Sequence, residues 1–317
     1  MNILEKFQTL IILSGVGMGL LLGQLPVVEQ NAGAFIIPFI LLMLYGLFLT
    51  IPIQNLKDAF KHIKFLSTST LINFVWSPLL AWALGAIFLS DHPALWIGFI
   101  MLMVTPCTDW YLMFTAVARG NVPLSASLLP VNFILQILLL PVYLLIFSGT
   151  ITAVPFNTVL ESIVLVIFLP FIIAHLTRLL FKNRKNLLED KLIPFFSSAQ
   201  ILFLTMAITA MFASQGAYLT NNPEVLFIMM IPVLLFFIIN FIVAQTAGRV
   251  MNFSYADTVS LNMTIIARNS PVALAIAVTA FVDQPLVALV LVIGPLIELP
   301  VLAIISQILL LFRKRRG

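Results

Sequence analysis

The stretch Asn262-Met263-Thr264-Ile265-Ile266-Ala267-Arg268-Asn269-Ser270-Pro271 places five polar side chains, an arginine among them, and a proline inside a long apolar run. A second stretch of the same character, Thr105-Pro106-Cys107-Thr108-Asp109, lies far upstream. Proline removes a backbone donor and clashes with the preceding turn. Irregular backbone at membrane depth is tolerated only where protein buries it or where it lines a cavity. Two such stretches predict two broken helices that share a midplane site, with Pro106 and Pro271 marking the breaks.

The surrounding sequence supplies the membrane. The chain has 317 residues, of which 62% are hydrophobic and only 9% charged, against about 25% charged in a soluble domain. Its mean hydropathy is +1.14. Such a chain cannot clothe itself in a solvated surface, which excludes a water-soluble enzyme, a nucleic-acid binder and a disordered protein. A single cysteine excludes an internal disulfide and a multi-cysteine metal site. No resident cofactor or metal is expected.

A spanning helix needs roughly 20 apolar residues. Runs of that kind start near Phe7, Ala34, Phe65, Ala94, Val122, Asn157, Leu192, Val225, Asp257 and Leu286. The expectation is an all-α membrane protein of about ten transmembrane helices, one integral unit over residues 1–317. Lys6, Lys57, Lys61, Lys64, Arg119, Arg178, Lys182, Arg184, Lys185, Lys191, Arg249 and Arg313 to Arg316 all fall on one side of such a ten-span chain. The opposite links carry Glu29, Asp91, Glu224 and Asp283 and no Lys or Arg. The positive-inside rule then puts both termini in the cytoplasm, with the protein integral to the cytoplasmic membrane. Arg268 alone breaks the pattern, because it sits within span nine.

Faint internal similarity suggests two halves. Ile37-Pro38-Phe39 recurs as Ile193-Pro194-Phe195, and Leu140-Pro141-Val142 as Leu299-Pro300-Val301. Asn121-Val122-Pro123-Leu124-Ser125-Ala126 resembles Asp283-Gln284-Pro285-Leu286-Val287-Ala288. Five spans per half force opposite topologies, so the halves, about 1–148 and 157–312, form inverted five-helix repeats. The broken helices four and nine occupy matching places and are expected to cross.

The candidate substrate-binding residues are those of the two breaks: Thr105, Cys107, Thr108, Asp109, Thr264, Arg268, Asn269 and Ser270. A charge at a helix centre costs ~2.5–3.5 kcal/mol on insertion scales, and a guanidinium stays protonated. Arg268 therefore needs a partner, for which Asp109 is the first candidate and Asp257 and Glu298 are alternatives. One reading is a structural ion pair. The other is a binding charge: Arg268 meets an anion, or Asp109 carries a coupling proton. Asn73, Asn132, Gln136, Asn240, Gln245 and Glu298 are read chiefly as interhelical hydrogen-bonding groups.

With these motifs in view, the chain resembles the bile acid:sodium symporter superfamily, which includes the arsenite efflux permeases. The resemblance covers nearly the whole chain. It is carried by Ala118-Arg119-Gly120-Asn121-Val122 with Leu124-Ser125, and by Ala267-Arg268-Asn269-Ser270 with Leu274-Ala275. It implies a core domain of spans three to five and eight to ten, a panel domain of spans one, two, six and seven, and alternating access by their relative movement. The family's sodium-binding Ser-Asn falls on Tyr111 and Leu112, and its Glu and Gln fall on Thr264 and Arg268. Arg268 then stands as a tethered cation where the family binds a mobile one, and weak or absent sodium coupling is expected. Cys107 matches the arsenite permeases' functional cysteine in its distance from Gly120, whereas their span-nine glutamate falls on Ala273.

The expected function is secondary transport of a small solute, a small organic anion drawn by Arg268. The alternative is arsenite or metalloid efflux using Cys107, with proton coupling through Asp109. A passive channel and a non-transporting sensor are the readings of another class. An intramembrane enzyme is not expected, since the chain has no Gly-x-Gly-Asp, His-Glu-x-x-His or Gly-x-Ser-Gly motif.

Overall fold

A computed structural model describes residues 8–50, 60–108, 111–151, 156–221 and 224–314. Among these residues the regular elements are all helical and there is no strand. Helix is the expected outcome for such sequence, because in hydrocarbon each backbone N–H and C=O must be satisfied within its own segment. The helices that position the site are α1 (Gln8–Leu22), α2 (Pro26–Ala32), α3 (Ile36–Thr50), α4 (Ile63–Leu71), α5 (Ser77–Phe88), α6 (Pro93–Met103), α7 (Tyr111–Val117) and α8 (Val122–Ile151). They are followed by α9 (Phe156–Ile163), α10 (Leu169–Leu180), α11 (Ile193–Asn221), α12 (Glu224–Val250), α13 (Tyr255–Ile266), α14 (Ser270–Ala280) and α15 (Pro285–Lys314).

Among the described residues, seven helical stretches are long and apolar enough to cross a membrane: Pro26–Thr50, Phe60–Phe88, Val122–Phe147, Leu160–Leu180, Leu188–Ser214, Phe227–Val250 and Pro285–Arg313. Three shorter apolar helices accompany them, Leu10–Leu22, Pro93–Met103 and Ser270–Ala280. Seven is fewer than the ten expected, and the shortfall has a physical cause. α6 and α14 have 11 residues each, about 16 Å of helix, too short for a core about 30 Å thick. Both end or begin at the polar breaks. The first run loses its opening residues, which lie outside those described. Of the basic residues used for orientation, Lys6, Lys57, Arg315 and Arg316 also lie outside them.

The chain divides into two compact units. The first comprises Met1–Ile51, Val154–Phe227 and Pro271–Val292. In it α11 packs along α1 and α3, and α10 packs on α3. The α1 contact is very close. A Cβ on Gly15 would meet Thr205 Cγ2 at 2.6 Å, and one on Gly19 would meet Thr209 O at 2.6 Å. Glycines four apart let helix backbones approach where no hydrophobic force drives them together. Thr209 Oγ1 also donates to Gly15 O at 3.1 Å.

The second unit comprises Pro52–Ala153, Ile228–Ser270 and Ile293–Gly317. Its apolar cluster joins Phe65, Leu66 and Ile72 to Leu124 and Leu128 of α8, Ala244 of α12, and Leu261 and Ile265 of α13. α7 and α8 both pack on α13. A π-helical turn, Ile72–Trp76, interrupts the span between α4 and α5. Both polar breaks lie in this unit, apart from Pro271.

Candidate functional site

Each break leaves backbone groups that a continuous helix would have satisfied. The two breaks satisfy one another. Pro106 and Arg268 form an antiparallel bridge. The Cys107 N–H donates to Ala267 O at 3.0 Å, and the Asn269 N–H donates to Thr105 O at 2.7 Å. α13 ends because Ala267 turns extended, with φ −70° and ψ 137°. Pro271 opens α14, where a missing N–H leaves no bond unmade. The structure therefore brings the polar stretches of 104–108 and 267–270 into direct contact.

Arg268 is the centre of this crossover, 2% exposed. Its Nη1 donates to Met103 O at 2.8 Å, its Nε to Ile266 O at 3.3 Å, and its Nη2 to Asn73 Oδ1 at 3.3 Å. Its guanidinium carbon lies 5.1 Å from the centre of the Phe236 ring. Its backbone N–H donates to Glu298 Oε1 at 2.9 Å. Glu298 is 1% exposed. Among the described residues Arg268 and Glu298 are the only buried charged side chains. The first candidate partner, Asp109, lies outside the described residues. The alternative Asp257 sits elsewhere, accepting from Asn121 Nδ2 at 2.8 Å and Ser254 Oγ at 2.7 Å.

The remaining predicted residues form a buried polar shell. Thr105 Oγ1 lies 3.0 Å from Met101 O and 3.3 Å from Asn269 O, so it serves both the end of α6 and the facing break. Asn269 Nδ2 donates to Thr108 Oγ1 at 3.1 Å. Thr264 sits one turn back, accepting from Asn132 Nδ2 at its Oγ1 and from Asn73 Nδ2 at its carbonyl, each at 3.2 Å. Cys107 and Ser270 are buried at the two ends of the crossover.

Asn73, Asn132 and Gln136, read from the sequence as interhelical hydrogen-bonding groups, bond between helices: Asn73 and Gln136 to residues of the crossover and Asn132 to Thr264. Gln136 is completely buried. Its Oε1 lies 3.5 Å from Asn269 Nδ2, and its Nε2 has no partner among the described residues. Asn73 is aimed at Arg268 by the π-helical turn that contains it. Such turns are frequent at functional sites.

Apolar helices built around two mutually bonded breaks, with a buried charge at their crossing, define a membrane transporter. The chain belongs to the sodium bile acid symporter family, whose model matches residues 37–222. It is similar to the arsenical-resistance protein Acr3 of Corynebacterium glutamicum, 24% identical over 323 residues that cover 95% of this chain and 87% of the relative. Acr3 of Alkaliphilus metalliredigens is 22% identical over 329 residues, covering 96% and 91%. An uncharacterized transporter of Synechocystis is 24% identical over 339 residues, covering 97% and 88%. The chain is thus an integral membrane transporter and not an enzyme.

Proposed function

We propose that the protein is a secondary carrier for a small, uncharged, hydroxyl-bearing solute, with a trivalent arsenic hydroxide as the leading case. Its ten spans form two inverted repeats, with spans three to five and eight to ten as the core domain and spans one, two, six and seven as the panel. Both termini are cytoplasmic, and alternating access exposes the crossover to each side in turn.

The observation that carries this reading is the engagement of Arg268. Three of its guanidinium N–H groups go to protein oxygens, and the carboxylate of Glu298 accepts from its backbone N–H. A cation so occupied offers little net charge to an organic anion. Among the described residues the other groups of the crossover are neutral hydroxyls, amides and one thiol, from Thr105, Cys107, Thr108, Thr264, Asn269, Ser270 and Gln136. A soft arsenic(III) centre takes thiolate sulfur. One As–S bond to Cys107 would replace one As–OH and release one water, a reversible exchange that suits release on the far side. The two relatives named for arsenical resistance support the arsenic reading, and resistance conferred by a carrier requires outward movement. Proton antiport through Asp109 completes the scheme, with sodium coupling weak or absent.

The second reading, a small organic anion, keeps one observation in its favour: the unpartnered Gln136 Nε2 is a donor that an oxyanion could take. The two separate on Cys107→Ser. In everted membrane vesicles energised by a proton gradient, the carrier should accumulate arsenite, and C107S should abolish this at equal protein level. Anion uptake that survives C107S, with no arsenite uptake by the unmodified protein, replaces the first reading with the second.

A further inference from the structure

A cavity of about 150 Å³ opens within the second unit and shares no residue with the crossover. Its walls come from three helices: Gln245 and Arg249 of α12, Tyr255 and Thr258 of α13, and Leu309 and Phe312 of α15. α12 and α13 meet closely here, since a Cβ on Gly248 would lie 2.6 Å from Thr258 Cγ2. The Tyr255 hydroxyl lies 2.9 Å from Leu309 O and 3.0 Å from Ala118 O, which ties the start of α13 to α15. Phe312 packs on Phe241 of α12, with ring centroids 6.4 Å apart. The charge at this recess has one sign. Arg249 lines it, and the Arg313 guanidinium carbon lies 5.9 Å from the centre of the Tyr255 ring. Among the described residues no acid lines the cavity. Asp257, on the same helix as Tyr255, is bonded to Asn121 and Ser254 instead. Gln245 adds an amide whose Nε2 is covered and has no partner among the described residues. Beyond the recess the surface turns apolar. Ile238 and Ile242 stand with Gln245 and Arg249 at i, i+4, i+7 and i+11, one stripe of α12, and both are more than half exposed.

We propose that this recess binds the phosphodiester headgroup of an anionic phospholipid, held by Arg249 and Arg313, with an acyl chain lying along Ile238 and Ile242. A guanidinium matches phosphate through two parallel N–H bonds. Basic pockets between spanning helices are suited to anionic headgroups. A phosphate oxygen entering beside Gln245 gives the unpartnered amide an acceptor. The apolar stripe commits the site to a lipid, because a free phosphate has no use for it. Each arginine also stands in the last turn of its helix, α12 or α15, where it answers that helix's negative end. That role alone would give no preference among lipids. A headgroup seated here joins α12, α13 and α15 at one point, so binding stabilises the folded unit. The site is independent of which solute is carried.

The test is thermal unfolding of the purified, delipidated full-length protein in a neutral detergent, with phosphatidylglycerol, phosphatidylcholine or inorganic phosphate added at equal concentration. A ligand bound only by the folded state raises its melting point, so phosphatidylglycerol should give about 4 °C more than phosphatidylcholine, and inorganic phosphate less than about 1 °C. Arg249→Gln combined with Arg313→Gln should lose most of the phosphatidylglycerol gain. Lys61→Gln combined with Lys64→Gln removes the same charge from a separate cavity, the one that Phe253 and Asp257 line, and should keep the gain. Equal melting in the two lipids overturns the proposal. So does an equal gain from inorganic phosphate, a full gain in the arginine variant, or an equal loss in the lysine variant. If the arginine variant is recovered only as aggregate, native mass spectrometry of the unmodified protein decides. Retention of one phosphatidylglycerol against an excess of phosphatidylcholine supports the site, and no such retention overturns it.

Discussion

The backbone amide of Arg268 donates to Glu298 Oε1 at 2.9 Å, so the buried acid is held to the same residue that bears the buried cation. The acid comes from α15 and the cation from the break after α13. Their pairing ties the final long helix to the crossover without any direct contact between regular helices being needed.

That relationship sets the first prediction. Glu298→Gln keeps an acceptor for the Arg268 amide but leaves the guanidinium charge unanswered. Removing one partner of a buried pair costs about 3–5 kcal/mol. Thermal unfolding in detergent should therefore fall by on the order of 10 °C. A variant that melts with the unmodified protein would mean that the carbonyls of Met103 and Ile266 satisfy Arg268 by themselves.

Asn73 works in both directions, accepting from Arg268 Nη2 and donating to Thr264 O. Asn73→Ala removes both bonds in a fully buried place and should destabilise by about 1–3 kcal/mol. Asn73→Asp keeps the acceptor, so it should leave Arg268 held while abolishing the bond to Thr264. Its melting point should lie between those of N73A and the unmodified protein. If it instead falls below N73A, the acceptor toward Arg268 is the less important half.

Much of this organisation is legible in the residues, and the rest is hidden for a reason. Arg268 and the prolines at 106 and 271 announce the breaks, because a charge and a missing donor are conspicuous in apolar sequence. The helical starts near Val122 and Leu286 are likewise plain, and α8 and α15 begin at Val122 and Pro285. What Arg268 binds is mostly invisible beforehand. The carbonyls of Met103 and Ile266 belong to backbone, and any residue type could supply them. Glu298 stands 30 positions beyond Arg268, where no spacing rule connects the two. Asn73 gains its aim from a π-helical turn, and nothing in Ile72-Asn73-Phe74-Val75-Trp76 declares one. The glycines at 15 and 19 did carry a signal, the four-residue repeat of a close helix contact.

Gln136 offers a prediction that separates packing from recognition. Its Nε2 is buried with no partner among the described residues. Gln136→Met keeps the length of the side chain and deletes that donor together with the Oε1 acceptor, whose 3.5 Å contact with Asn269 Nδ2 is the longest in the crossover. Relief of an unsatisfied group should leave stability unchanged or improve it by up to about 1–3 kcal/mol. If the solute takes the donor, KM should rise by roughly 3- to 10-fold, the equivalent of about one net hydrogen bond. A stable variant with unchanged transport kinetics would assign Gln136 to packing alone.

The close contact of α1 and α11 can be tested with two glycines on one helix. A Cβ on Gly19 would lie 2.6 Å from Thr209 O and 2.7 Å from Phe212 Cβ, whereas a Cβ on Gly17 would meet nothing within 4 Å. Thr209 O is backbone and cannot swing aside, so Gly19→Ala must push the helices apart and should cost about 1–3 kcal/mol. Gly17→Ala adds the same methyl to open space, where alanine favours helix by up to about 1 kcal/mol. The two variants should therefore shift thermal unfolding in opposite directions. The contrast also removes helix propensity as an explanation, since each change is the same substitution on the same helix two residues apart. Equal melting points for G17A and G19A would show that the Gly15–Gly19 face is not where α1 meets α11.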